Sequence, residues 1–128
     1  MTIELTYLVW VSLLTSIIWV PYLVDRVLVW GLVDAVGYPA NPKQQSPWAT
    51  RLKQAHGNAV ENLVVFAALV LALNAANISN ETTVMTCAVY FWARVVHLAA
   101  YTFRVAWIRT LAFVTGFGSQ VVLALQYL

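Results

Sequence analysis

The sequence predicts an all-α integral membrane protein, a four-transmembrane-helix bundle that forms a single domain over residues 1–128. Three observations carry that expectation. Hydrophobic residues make up 62% of the chain, charged residues only 9%, and the mean hydropathy is +0.76, whereas soluble domains carry about 25% charge. The apolar residues gather into four stretches close to or above the ~20 residues needed to cross a ~30 Å hydrocarbon core. Between these stretches lie short polar or turn-rich segments. A net charge of +2, dispersed along the chain, provides no basic stripe of the kind that nucleic acid requires, so no nucleic-acid partner is expected. The lone cysteine, Cys87, lies in a hydrophobic run and rules out a disulfide framework; it reads as a small core hydrophobe rather than a reactive thiol. Met1 to Tyr22 has no basic n-region, and its apolar run is too long for a cleaved leader.

The first helix is expected over about residues 5–30, long enough to span with tilt. Pro21 should kink it, and Tyr7, Trp10, Trp19, Tyr22 and Trp30 are placed to anchor it at the interfaces. Its only charges, Asp25 and Arg26, lie near the far end and read as a solvated interfacial pair. Gly31 to Pro47 is rich in turn residues and should not continue a helix. Ser46 followed by Pro47 has the pattern of an N-cap with proline in the first turn, which starts the second helix, about residues 47–76. Asn77 to Glu81 is a short turn, and Thr82 or Thr83 is the expected cap of the third helix, about residues 82–103. The Asn77 and Asn80 matches to a glycosylation acceptor pattern fall in a turn too tight to use it. The fourth helix is expected over about residues 106–127, with Gly116-Phe-Gly118 marking a close helix contact.

Polar chemistry is concentrated on two of these helices. At about 100° per residue, Arg51, Gln54, Asn58, Glu61 and Asn62 share an arc of about 100° on the second helix, while Lys53 and His56 point to the other side. Tyr90, Arg94, His97 and Tyr101, spaced by four, three and four, make a second polar face on the third helix. Arg109 begins the fourth, with Gly116 and Gln120 on the same face. Such residues are costly in hydrocarbon, and by default they face a bundle interior or a watery cavity and mark a functional site. Glu61 needs a cationic partner at that depth, and Arg94 or Arg109 is the candidate.

Lys43, Arg51, Lys53, Arg104 and Arg109 all lie in or beside the first and third loops, whereas the N-terminus, second loop and C-terminus contain no basic residue. By the positive-inside rule the first and third loops are cytoplasmic and both termini face away. Three helices therefore bring their polar residues to one membrane half, near the cytoplasmic face.

The run Ala55-His-Gly-Asn58-Ala-Val-Glu61-Asn62-Leu with Phe66, then Ala93-Arg94-Val-Val-His97-Leu-Ala-Ala-Tyr101 and Ile108-Arg109-Thr110, resembles the MAPEG superfamily, the membrane-associated proteins of eicosanoid and glutathione metabolism. The resemblance covers the second to fourth helices in order and spacing. It implies a homotrimer of four-helix subunits with glutathione, as co-substrate, held between neighbours near the cytoplasmic face. Asn58, Glu61, Arg94, His97 and Tyr101 match family positions around the tripeptide, and Arg109 matches the arginine thought to activate its thiol. Gln54 stands where the eicosanoid synthases carry an arginine, and Arg51, one turn earlier on the same face, is placed to compensate. Gly57 replaces a basic residue, Phe113 replaces a tyrosine, and no arginine matches the one near the first helix's cytoplasmic end. These departures argue against eicosanoid synthesis and make the chain look like the short bacterial branch, which places it in a bacterial inner membrane.

The chemistry of the residues agrees with the resemblance. Glutathione carries two carboxylates, an ammonium and a thiol, so its site needs several cations, a carboxylate and amide groups; a nearby arginine favours the nucleophilic thiolate. No metal site is expected. The same residues, Glu61, Arg94 and Arg109, would also serve as a buried ion-pair network that fixes helix register. Three functions compete: a glutathione-dependent transferase or peroxidase acting on lipophilic electrophiles that arrive through the membrane lipids, a non-enzymatic lipid-binding or lipid-presenting protein, and a small transporter. The last is disfavoured because the charges cluster in one half instead of lining a path across the membrane.

Overall fold

A computed structural model describes residues 1–128, and its regular structure is entirely helical. The first span, Ile3–Trp30, is two helical segments, α1 (Ile3–Ile17) and α2 (Trp19–Trp30), joined at Ile18. The interruption is the kink expected from Pro21, which has no N–H to close a bond onto the Ile17 carbonyl one turn back. Instead of running straight into a loop, the chain forms a short further helix, α3 (Leu32–Val36), after Gly31. Gly31 adopts φ 83°, a left-handed conformation that glycine reaches without steric cost, and this lets the chain turn and restart.

The remaining spans are α4 (Pro47–Ala75), α5 (Glu81–Thr102) and α6 (Ala106–Leu125); with Ile3–Trp30 they make four helices long and apolar enough to cross a membrane. Asn80, rather than Thr82 or Thr83, caps α5. Its side chain accepts from the Thr83 amide at 3.0 Å, and the Thr83 hydroxyl accepts in return from the Asn80 amide at 2.9 Å. This reciprocal box satisfies two amide donors that an uncapped helix start would leave open.

α5 is the central helix: it packs on α1, α4 and α6, and its largest contact is with α6. Gly116 lies in that contact, where a Cβ would meet the Tyr90 ring at 3.8 Å and the Arg94 side chain at 3.9 Å, ordinary packing distances that leave room for a methyl group. Gly118 faces open space and takes no part. The apolar core joins all four spans through Leu8, Val11, Phe66, Val70, Leu73, Cys87, Tyr90 and Leu123. These residues come from the start of α1, the end of α4, the start of α5 and the end of α6, so the core fills the half containing the α4–α5 turn. Phe66 and Tyr90, both fully buried, stack face to face with ring centroids 3.9 Å apart and close its other end. Cys87 lies inside it, as expected of a small hydrophobe.

Asp25 and Arg26 do not form the expected solvated pair. Asp25 is only 5% exposed and accepts from the Ser46 amide at 3.1 Å, the Ser46 hydroxyl at 2.6 Å and the Gln45 amide at 3.2 Å. Arg26 instead lies 4.3 Å over the Trp30 ring. Ser46 does begin α4, but its hydroxyl donates to Asp25 and caps no α4 amide. A carboxylate from the neighbouring helix therefore stands at the positive end of α4, where negative charge is stabilised. Further bonds from Trp30 to the Lys43 carbonyl at 2.6 Å and from Gln45 to the Tyr22 carbonyl at 2.9 Å tie the long loop to α2.

Candidate functional site

The polar arc of α4 runs along α5 and reaches α6. From one end to the other, Arg51 Nε donates to the Thr102 carbonyl at 2.9 Å, the Tyr101 hydroxyl meets Gln54 Oε1 at 3.4 Å, and Arg94 donates to Asn58 Oδ1 at 2.7 Å. Asn62 donates to the Asn58 carbonyl and side-chain oxygens at 2.9 and 3.2 Å, and Gln120 of α6 donates to the Asn62 carbonyl at 3.2 Å. The two sequence-predicted polar faces thus meet in one seam. A buried guanidinium, 4% exposed at Arg94, is retained there by a hydrogen-bond acceptor, as burial of charge demands.

Glu61 behaves differently from the expectation. It is exposed, forms no bond to Arg94 or Arg109, and faces away from the seam. The reason is phase: on this arc Asn58 and Asn62 lie on the side against α5, and Glu61 falls at the outer edge. Within one chain there is consequently no Glu61-centred ion-pair network.

His97 is 2% exposed, between the Tyr101 ring at 5.7 Å and the Phe113 ring at 6.2 Å, and its Nδ1 has no hydrogen-bond partner in the chain. Phe113 supplies packing but no hydroxyl. Arg109, half-buried near the start of α6, holds its guanidinium 5.2 Å from the Tyr101 ring centroid, within cation–π range. His56, on the opposite side of α4 as expected, bonds to the Tyr22 hydroxyl at 2.8 Å and belongs to the α2–α4 contact.

A small cleft of about 50 Å³ opens between Arg51, Tyr101, Arg104 and Arg109 where α5 turns into α6. Arg104, for which the sequence indicated only a loop on the basic side of the membrane, also lines this cleft. It adopts φ 64°, a conformation uncommon for a residue other than glycine, and the turn closes through a bond from the Val105 amide to the Ala100 carbonyl at 2.8 Å. The only sequence signal for it was a further arginine between Tyr101 and Arg109. Ligand pockets are typically about 300–1,000 Å³, so one chain provides a charged wall rather than an enclosure. Beside it, α5 and α6 form an apolar groove of about 490 Å³ lined by Met85, Val89, Trp92, Val96, Ile108 and Leu111.

These features define a class: a four-span helical membrane protein with an arginine-rich polar seam at one end and an apolar core at the other. A family model for MAPEG matches residues 7–128, nearly the whole chain. The chain belongs to the MAPEG family. It is therefore an integral membrane protein of the glutathione and eicosanoid metabolism type. No curated protein matches it.

Proposed function

We propose that the protein is a glutathione-dependent transferase or peroxidase acting on lipophilic electrophiles that reach it through the bilayer. The observation that carries this reading is the convergence of Arg51, Arg94 and Arg109 from three helices onto one membrane half, beside a buried His97 whose Nδ1 lacks a partner in the chain. That donor set suits a ligand with two carboxylates, and exposed Glu61 suits its ammonium. Gln54, Asn58 and Tyr101 add amide and hydroxyl groups for its peptide bonds.

In this reading Arg109 acts on the thiol. A guanidinium close to sulfur stabilises the thiolate, which is the nucleophile. The sulfur lone pair forms the bond to the electrophilic carbon, the leaving group departs with its electron pair, and the thiol proton passes to water at the cleft mouth. Arg94 gives one of its five N–H donors to Asn58 and so holds the seam in register, and in this reading its remaining donors serve the ligand. Purified protein given glutathione and a generic electrophile should form conjugate at a rate proportional to enzyme; no conjugate, and no bound glutathione, would leave the lipid-binding reading. That second reading is favoured by the groove of about 490 Å³ between α5 and α6, whose lining is apolar apart from Thr115.

The charged wall needs a second surface to enclose a tripeptide, so the working unit in this proposal is a homotrimer with the site between neighbours. Sedimentation in detergent, corrected for bound detergent, should give a trimer mass. A monodisperse monomer would remove the shared site.

The proposal also places the arginine-rich end at the cytoplasmic face of a bacterial inner membrane, on the strength of the basic residues around the first and third loops. With Cys87 replaced, single cysteines at Thr2 and Lys43 should differ in intact cells: an impermeant thiol reagent should label the Thr2 site and spare the Lys43 site. The reverse pattern would put the site outside.

A further inference from the structure

The end of the molecule opposite the arginine-rich wall contains a buried carboxylate with no Lys or Arg side chain near it. Glu4, in the first turn of α1, is 3% exposed, and its Oε1 has no hydrogen-bond partner. It lines a cavity of about 160 Å³ together with Thr2, Asn74, Asn77 and Ser79. All seven Lys and Arg side chains lie elsewhere: Arg26, Lys43, Arg51 and Lys53 at the α2–α4 end, Arg94 in the seam, and Arg104 and Arg109 at the α5–α6 turn. The cavity also receives the last residues of α4, whose carbonyl-bearing end carries partial negative charge. Asn77 adopts φ 57°, a conformation that asparagine tolerates better than most residues, and there it turns the chain over the cavity.

The positive end of α1 offsets part of the cost of burying this carboxylate, but its Oε1 stays unpaired and burial of an unpaired ion costs several kcal/mol, so the cavity favours a cation. A divalent metal ion suits it poorly. Hard cations bind through six or more oxygens with several carboxylates among them, whereas Glu4 is the only carboxylate here and no group of three His, Cys, Asp or Glu residues exists anywhere in the chain. A primary ammonium fits better. It presents three N–H donors, which a carboxylate and the carboxamide oxygens of Asn74 and Asn77 can accept. At about 30 Å³ per water, the cavity has room for about five waters, the size of an ethanolamine group. It lies where the first span begins and the second ends, which in a membrane crossed by those spans is the headgroup level.

We propose that this cavity is a binding site for a primary ammonium group of ethanolamine size, held by Glu4 and presented at the membrane face opposite the arginine-rich wall. The source is either the headgroup of an aminophospholipid or a free amine. The test uses full-length protein with its α-amino group acetylated, so that the chain's own terminus does not compete. It is reconstituted with a mixture of phosphatidylethanolamine and phosphatidylcholine and examined by native mass spectrometry.

Wild type should retain phosphatidylethanolamine over phosphatidylcholine, whose trimethylated nitrogen has no N–H to donate. Glu4→Gln should reduce that retention by about tenfold, the size of one charge-assisted hydrogen bond, with helical content unchanged. Asn74→Leu, which keeps the carboxylate but fills the cavity, should reduce it too, and serves if Glu4→Gln fails to fold. Displacement of the lipid by free ethanolamine would support the site with a soluble source; retention of the lipid against free ethanolamine would support it with a lipid source. Equal retention of the two lipids by wild type, undiminished retention by both variants, or thermal stabilisation by sodium or calcium ions but not by ethanolamine would overturn the proposal.

Discussion

Arg109→Ala is expected to slow glutathione conjugation by about 10²-fold or more, the usual cost of losing one donor from a preorganised anion site, while leaving the protein folded. The side chain is half-buried near the start of α6, makes no hydrogen bond within the chain, and holds its guanidinium 5.2 Å from the Tyr101 ring centroid. Removing it therefore strands no buried partner. The thiol of bound glutathione should become harder to ionise, because the thiolate loses its nearest cation, so the loss should be greatest at neutral pH and partly recovered at alkaline pH. Thiolate absorbance and conjugation rate across a pH series would check both parts. A variant that binds glutathione, ionises its thiol and turns over like wild type would refute the role assigned to Arg109. Glu61→Ala should be mild in a single folded chain, since Glu61 is exposed; an effect on trimer content or glutathione affinity would place its partner on a neighbouring subunit or on the ligand.

Asp25→Ala is expected to cause the largest loss of stability away from the site. Its carboxylate accepts three hydrogen bonds from Gln45 and Ser46 at 2.6–3.2 Å, and bonds to a charged acceptor contribute about 1.5–3 kcal/mol each when desolvated. The segment lies beside an exposed loop where water can replace part of that bonding, so a net loss of about 2–3 kcal/mol is expected rather than the full sum. Because these bonds position the start of α4, the loss should extend to Arg51 and Gln54, one and two turns further on, and glutathione affinity should fall with stability. Asp25→Asn keeps an acceptor oxygen in place and should recover part of the loss. Thermal unfolding in detergent of the three proteins would measure this; identical midpoints would show that the carboxylate is not what secures the loop.

The sequence was enough to place the solvent, the spans and the polar arcs. Sustained apolar windows have few alternatives to membrane helices, and a fixed rotation of about 100° per residue puts Asn58 and Asn62, or Arg94 and His97, on one face without any knowledge of the neighbours. The order and spacing of those residues also carried the family resemblance, and the seam from Arg51 to Gln120 is made by the faces that periodicity singled out.

Tertiary structure decided what each face meets. Helical phase assigns a residue to an arc about 100° wide but not to a side of that arc, so Glu61, expected to pair with an arginine, lies outside the seam while Asn58 takes Arg94. Charge and position near a helix end suggested solvent for Asp25, but the long loop folds back onto it, and its partners are 20 and 21 residues away. Glu4 sits in a first turn where an acidic residue is ordinary, and only the approach of the α4–α5 turn makes it a buried carboxylate facing a cavity. Local rules are set by the backbone within a turn or two, whereas the partner of a buried charge is set by which helices pack together, and one strand of sequence does not contain that geometry.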